Sequence, residues 1–426
     1  MVRFNENNET IQNEEYQAIL AGLQGREEIA YSMEELDRLA DAAGIPVLGQ
    51  IVQSLEKPNA ATLIGKGKVL ELAELCRNMG ADMVIFNEEL SGIQLRNLEE
   101  RLQTRVIDRT ILILDIFAAR ATSKEGKLQV ELAQLQYRLP RLTGFGKSLS
   151  RLGGGIGIRG PGEKKLETDR RHIAGRMEDI KKELAQIKNT RGVQRARREK
   201  SHIPVVALVG YTNSGKSALM NCFLSMNEKE DKAVVVEDML FATLDPQHRK
   251  IDMGNRCELI LIDTVGFVSK LPHSLVRAFK ATLEEVLEAD LLLHLVDASY
   301  EQYDFHIDVT NRVLGEIGAG GKETIMVYNK MDLVEEDPVD VTGCERVYIS
   351  ATEGTGLDGL MEKIRERLFS GRVRAKLLIP FDKGGIASYL CEKADVISMD
   401  YREDGTLFDL ELSRLDYSRF KDYDRL

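Results

Sequence analysis

Between Val47 and about Ala121, short β-rich runs (Gly49 to Leu55, Met83 to Phe86, Arg105 to Ile107) alternate with stretches of helical period (Val69 to Met79, Ile93 to Leu102, Thr110 to Ala121). That alternation predicts an α/β domain over residues 16–122, behind a tail, 1–15, too polar to pack. The period then changes. Leu128, Leu132, Leu135, Leu139 and Leu142 are spaced 4, 3, 4, 3, and Ile173, Met177, Ile180, Leu184 and Ile187 repeat that spacing. Two such stripes predict an antiparallel helical hairpin over 123–200, one helix zipped to the other. The second helix, from about Glu163 to Lys200, would extend roughly 55 Å at 1.5 Å per residue. Alternating strands and helices return over 201–370 and predict a mostly parallel sheet with helices on both faces. Val373 to Pro380, Gly385 to Lys393 and two strands around Glu403 to Gly405 predict a small α+β domain over 371–426. The expected fold class is multidomain α/β.

Composition sharpens this picture. With 43% hydrophobic and 30% charged residues the chain is globular, and 426 residues exceed what one core serves. The longest apolar runs, such as Leu291 to Val296, fall far short of a membrane span. The amino terminus is polar and acidic, unlike a secretory signal, so a cytoplasmic protein is expected; the expected state, taken separately, is a monomer. Five cysteines (Cys76, Cys222, Cys257, Cys344, Cys391) lack any C-x-x-C spacing and read as reduced thiols.

Charge is segregated within a formal net of −11. From Arg138 to Lys200 there are 18 basic and 7 acidic residues, which leaves a net −22 on the remainder. One basic element on an acidic body suits a polyanion partner while limiting indiscriminate binding. Within it, Arg138 to Gly162 holds eight glycines, five basic residues and no acidic one, so a tip at 144–162 can lay backbone N–H and guanidinium groups against phosphate. The plain alternatives are a solvated helix and a flexible connector.

The chemistry lies in 201–370. Gly210 to Ser217 reads G-x-x-x-x-G-K-S directly after an apolar strand and before a helix, the required context of a phosphate-binding loop. Gly210, Asn213, Ser214, Gly215 and Ala218 would bring backbone to the phosphates, Lys216 would bridge the β and γ groups, and Ser217 would ligate Mg²⁺. Asp263 ends another strand and begins D-x-x-G, so it would hold the Mg²⁺ shell from the second sphere while the Gly266 N–H senses a γ-phosphate. Asn329, Lys330 and Asp332 follow a third strand. Asp332 can accept from both N1–H and the 2-amino group of guanine, whereas adenine offers neither, so the expected nucleotide is GTP. Ser350 and Ala351 would touch guanine O6 through backbone.

Together these elements resemble a translation-factor-class GTPase, and LFATLDP with DTVGF is similar to its Obg–HflX branch. GGGIGIRGPGEKKLETDRR, Gly153 to Arg171, resembles the HflX hallmark, as do IGKGKV, FNEELSGIQLRNLEE, VIDRTILILDIFAARA and ELAQLQYRLPRL. The resemblance spans about residues 45–370. It implies a cytoplasmic GTPase that binds the rRNA of the large ribosomal subunit and splits or rescues stalled or idle ribosomes under stress. Its RNA-binding residues would be Arg151, Gly153, Gly154, Gly155, Arg159, Gly160, Lys164 and Lys165, the last two standing where family members usually carry Thr-Gln. Thr243 would close switch I over Mg²⁺ and γ-phosphate. Asn213 stands where related GTPases hold K⁺, the alternative being that it only stabilises the loop turn. Phe267 follows Gly266 where Ras-type enzymes carry a water-orienting glutamine, so intrinsic hydrolysis should be slow and partner-stimulated. Two rival functions remain open: an ATP-driven RNA remodeller with a second site around Lys66, Lys68, Asp108 and Arg109, and a GTP-dependent regulator of a protein partner that docks on the arm.

Overall fold

The computed structural model describes residues 16–24, 29–141, 161–199, 203–226, 241, 246–254, 257–270, 280–335 and 345–425. They form two compact units. One comprises the described residues within Met1–Arg197, Val236–Pro246 and Val265–Glu284, the other those within Arg198–Val235, Gln247–Thr264 and Glu285–Leu426.

The first unit opens with a four-stranded parallel sheet in the order β2-β1-β3-β4, formed by β1 (Ala18–Gln24), β2 (Val47–Ser54), β3 (Met83–Phe86) and β4 (Arg105–Asp108). The helices between and after them are α1 (Ala30–Ala42), α2 (Lys66–Met79), α3 (Gly92–Leu102) and α4 (Arg109–Arg120). Four of the six predicted spans agree within a few residues at each end, and the other two, β2 and α2, match in place with starts two or three residues earlier. β1 and α1 were not anticipated, because AILAGLQ has a single β-branched residue and no alternation. All four residues of Met83 to Phe86 are nonetheless fully buried, as parallel strands covered on both faces must be. α3 begins with a capping box in which Ser91 and Gln94 satisfy each other's backbone N–H groups.

The predicted hairpin forms from α5 (Lys124–Arg141) and α6 (Pro161–Glu199). Leu128, Leu132 and Ile180 are buried together, with Leu135, Met177, Leu184 and Ile187 packed around them. Arg176 forks onto Glu131 with both nitrogens at 2.7 Å, and Lys124 meets Glu183 at 3.0 Å. Seven positions back on one helix meets seven forward on the other, which fixes an antiparallel register. Pro161 at the first helical turn of α6 sacrifices no hydrogen bond there.

The second unit holds a six-stranded sheet, β10-β9-β8-β5-β7-β6, from β5 (Val205–Gly210), β6 (Gln247–Asp252), β7 (Glu258–Asp263), β8 (Leu291–Asp297), β9 (Thr324–Asn329) and β10 (Arg346–Tyr348). Only β6, at the edge, runs antiparallel. α7 (Lys216–Met226), α8 (Lys280–Glu288), α9 (Tyr303–Ile317) and α10 (Leu357–Phe369) accompany it in the chain. Then β11 (Arg372–Ile379), α11 (Gly384–Lys393), β12 (Asp395–Arg402), β13 (Gly405–Ser413) and α12 (Arg414–Phe420) form an antiparallel three-stranded sheet, ordered β11-β13-β12, with its own core around Phe408 and Leu410. No helix among the described residues is long and apolar enough to cross a membrane.

Candidate functional site

β5 ends in the phosphate loop, and its geometry explains the glycines. Gly210 has φ 149°, and a Cβ there would lie 2.3 Å from the Leu295 carbonyl oxygen. Gly215 has φ 91°, where a Cβ would sit 2.0 Å from Asn329 Nδ2. Neither position admits a side chain. Asn213 adopts φ 60°, a left-handed turn that asparagine tolerates.

Lys216, at the start of α7, folds its ammonium over the loop: Nζ donates to the carbonyls of Gly210 at 3.1 Å and Tyr211 at 2.6 Å. Burial pushes its pKa down to about 8, against the opposing pull of Asp263. Behind it, His294 on β8 is likewise buried, and desolvation followed by the Lys216 charge lowers its pKa to about 3, so it is neutral. The Ser217 hydroxyl donates to Asp263 Oδ2 at 2.6 Å, and the Asp263 carboxylate is fully buried. A hydroxyl and a carboxylate in contact are hard oxygen donors of the kind Mg²⁺ takes, so these residues fit that ion. Thr264 donates to the Leu208 carbonyl at 2.6 Å and so pins β7 to β5 at the site.

The segments expected to read the base are tied to this loop. Asn329, 2% exposed, donates from Nδ2 to the Ser214 carbonyl and accepts at Oδ1 from the Ala351 N–H, both at 2.9 Å. Its side chain therefore ties three loops together. Lys330 is left-handed, φ 66°, with Nζ on Asp297 Oδ2 at 2.6 Å. Asp332 is exposed beyond them, in a single 3₁₀ turn, Met331–Leu333. Ser350 is buried and its hydroxyl accepts from the Glu353 N–H at 3.1 Å, which shapes the loop that carries Ala351.

Sequence reading passed over several residues that lie beside these segments. Asp297 has a legible signal, an acid closing the apolar strand LLLHLVD. The stack beside the loop has none: His306 lies between Tyr211 and Tyr300, centroids 4.0 and 4.7 Å away and both rings 13° from parallel. Of the expected residues, Gly266 is buried and Phe267 is 2% exposed. Thr243, Arg151, Gly153, Gly154, Gly155, Arg159 and Gly160 lie outside the described residues, and for Lys164 and Lys165 the structure describes only helical backbone in α6.

Of the four residues expected to form a second nucleotide site, Lys66, Lys68, Asp108 and Arg109, three have partners within the protein. Asp108 is fully buried; it caps α4 through the Ile111 N–H at 3.0 Å, takes the Leu90 N–H at 2.9 Å and accepts from the Tyr137 hydroxyl. Arg109 is buried against Glu35, and Lys68 pairs with Glu71 at 2.9 Å.

Comparison with known proteins covers nearly the whole chain. Residues 30–118 match the family described as GTP-binding GTPase N-terminal, 120–198 the GTP-binding GTPase middle region, 205–330 the 50S ribosome-binding GTPase, and 341–425 the HflX C-terminal domain. The GTPase HflX of Caldanaerobacter subterraneus subsp. tengcongensis is 50% identical over 398 residues, 93% of this chain and 91% of that protein. The GTPase HflX of Escherichia coli is 42% identical over 380 residues, 88% of each chain. A crystal structure of a GTP-binding protein from Sulfolobus solfataricus in complex with GDP is 25% identical, at a TM-score of 0.45 over 83% of this chain and 99% of that one.

Proposed function

This chain belongs to the HflX family of GTPases and is a GTP-hydrolysing enzyme, and from that premise we propose that it is a cytoplasmic molecular switch whose GTP form binds the large ribosomal subunit and splits or rescues stalled ribosomes under stress. One observation supports the reading: a phosphate-loop motif and a net +11 segment, 138–200, which takes in one helix of a zipped pair, belong to one chain that is otherwise acidic. A GTP switch that grips rRNA phosphate needs both, and the likeness of residues 205–330 to the 50S ribosome-binding GTPases supports the partner.

In this reading Gly210, Asn213, Ser214, Gly215 and Ala218 present backbone to the phosphates. Lys216 exchanges its two carbonyls for β- and γ-phosphate oxygens, which raises its pKa again. Ser217, with Asp263 behind it, holds Mg²⁺, and Thr243 closes from switch I. Bound there, Mg²⁺ neutralises charge on the phosphates. Gly266 senses the γ-phosphate, and its neighbour Phe267, being apolar, cannot orient water, so the intrinsic rate is slow. Asp332 reads N1–H and the 2-amino group of guanine, Lys330 supports that turn through Asp297, and Ser350 and Ala351 approach O6. The tip residues Arg151, Gly153 to Gly155, Arg159 and Gly160, with Lys164 and Lys165, contact rRNA. Asn213 holds K⁺ against the phosphates. The chain acts as a monomer.

Sedimentation of lysate through sucrose with a non-hydrolysable GTP analogue, with GDP or with no nucleotide tests this. The protein should travel with the large subunit only with the analogue; equal distribution under all three conditions overturns the reading.

A further inference from the structure

The carboxy-terminal sheet has two edges, and they are finished differently. Along β11 the end of the chain lies alongside: Leu377 bridges Asp424 in the antiparallel sense, and the Arg425 N–H donates to the Lys376 carbonyl at 2.9 Å. Along β12, among the described residues, the only strand partner is β13 on the inner side. An edge of this kind presents a row of backbone donors and acceptors to any strand that matches it.

The side chains of β12 are as incompletely covered as its backbone. Opposed residues of an antiparallel pair share a face. Val396, opposite Leu410, Met399, opposite Phe408, and Tyr401, opposite Thr406, therefore lie on the face that carries the core of this sheet. Yet Met399 is 38% and Tyr401 77% exposed, while Phe408 and Leu410 are buried. The apolar layer runs out at the edge into solvent. Asp395, Ser398, Asp400 and Arg402 lie on the opposite face, and every residue from Ile397 to Arg402 is exposed. Ile397 is the extra residue where the register shifts between Val396 and Ser398.

One strand matches this edge residue for residue, and it is β12 itself. Two antiparallel copies related by a two-fold axis oppose residues equally distant from the axis, and opposed side chains must lie on one face. With the axis through Met399 and the bulge residue set aside, Met399 meets its own equivalent. Val396 then meets Tyr401, Ser398 meets Asp400 and Asp395 meets Arg402, each of these twice. On the core face every apolar residue falls on an apolar one. On the other face each carboxylate has a hydroxyl or a guanidinium opposite. An axis through Ser398 would set Asp395 against Asp400, and one through Asp400 would set that residue against itself, both destabilising. An axis through Tyr401 would pair only three residues of the strand. DVISMDYR thus has one long register with itself, and in that register its charges are complementary.

We infer that β12 is a self-association edge, at which two copies of this chain join their carboxy-terminal sheets into one of six strands. The pairing belongs to the free protein, whereas the monomer of the proposed function is the form that acts on the particle, so neither reading depends on the other. A seven-residue strand pair falls short of the roughly 1,200 Å² that a stable interface buries, so the dimer is weak and reversible, with a Kd of about 10–100 µM.

Sedimentation equilibrium of the full-length protein, with GDP and without ribosomes, tests this. The mass should rise from that of one chain towards that of two between about 1 and 200 µM. Arg402→Asp sets a like charge against Asp395 and should weaken association about tenfold or more, and Asp395→Arg should do the same. The two changes together only exchange the charges, so the double variant should associate like the wild type. Met399→Cys should be linked into a dimer by diamide, because opposed Cβ atoms lie about 5 Å apart, under conditions that leave the wild type unlinked. GDP affinity should be unchanged throughout, which checks that each variant is folded. A wild-type mass that stays at one chain up to about 200 µM, or a double variant no better than the single ones, overturns the inference. Constant mass combined with loss of particle binding in Met399→Lys would assign the edge to a ribosomal protein and overturns it equally; loss of particle binding by the wild type would bear on the proposed function alone.

Discussion

The side-chain amide of Asn329 is hydrogen-bonded to the Ser214 carbonyl across 2.9 Å, and so the turn expected to read the base and the phosphate loop share one joint. The same side chain accepts from the Ala351 N–H. Asn329→Ala should leave two buried backbone groups unsatisfied, at about 1–3 kcal/mol each. We expect GDP affinity to fall by about tenfold or more in calorimetric titration, with a lowered melting midpoint. Asn329→Asp has the same shape but turns a carboxylate oxygen towards a carbonyl, so it should do no better than alanine. Wild-type affinity in Asn329→Asp would show that the joint is immaterial.

Asp332, exposed at the end of that turn, should carry base specificity. Asp332→Asn exchanges two acceptor oxygens for an amide that can donate to the 2-carbonyl of xanthine. The variant should bind XTP better than GTP, reversing the wild-type order by a factor on the order of 10² or more. Competition between labelled GDP and unlabelled XDP reads this directly, and a retained preference for guanine contradicts the assignment.

How much of this was legible in sequence depends on whether the information is local. The strand, loop and helix around Lys216 follow one another in the chain, so spacing alone locates them, and the two leucine and isoleucine stripes predict a hairpin because each helix carries its own period. Asn329 illustrates the limit: its motif marks it for the base, but nothing near it in the chain says that its amide also donates to the Ser214 carbonyl, 115 positions away. Ser269 and Glu35, which hydrogen-bond across 234 positions, are ordinary polar residues whose contact arises only when the fold closes. β1 escaped for a different reason. Its burial is imposed by β2 and β3 on either side, not by a pattern of its own.

Lys216 predicts a pH dependence. Its pKa of about 8 reflects burial of the ammonium, and phosphate oxygens would raise it again. Below pH 8 the free protein already carries the charge that nucleotide needs. Above it, binding must take up a proton, so affinity should fall as pH rises, by up to about tenfold per unit. GDP titrations from pH 6.5 to 8.8 should show a plateau followed by a decline. Lys216→Arg, charged throughout, should bind more weakly at pH 7 but flatten the profile; a decline of equal slope in that variant removes Lys216 as its source.

Asn213 turns through φ 60° at the fourth position of the phosphate loop. If it holds K⁺ against the phosphates, a cation sits where other switches receive an arginine. Subunit-stimulated hydrolysis should then run about tenfold or more faster in K⁺ than in Na⁺ at equal ionic strength, and Asn213→Ala should abolish the difference. Equal rates in the two salts would leave Asn213 as a turn residue only.

In the proposed function, the arm should separate affinity for the particle from affinity for the nucleotide. Arg151→Ala with Arg159→Ala removes two charges between α5 and α6, about 50 positions before the phosphate loop. Neither change touches the hydrogen bonds of Lys216, Ser217 or Asn329, so GDP affinity and intrinsic hydrolysis should stay near wild type. Binding to the large subunit should weaken, and its logarithmic dependence on salt should become shallower by roughly one unit for each phosphate no longer neutralised. Stimulated hydrolysis should drop at subunit concentrations below saturation and recover above it, because the defect lies in association. If binding and its salt slope are both unchanged, the tip only connects the helices, and the polyanion must be met by the basic positions of α6 between Lys164 and Arg198, where substitution of Lys181 and Lys182 would then be the variant that flattens the slope.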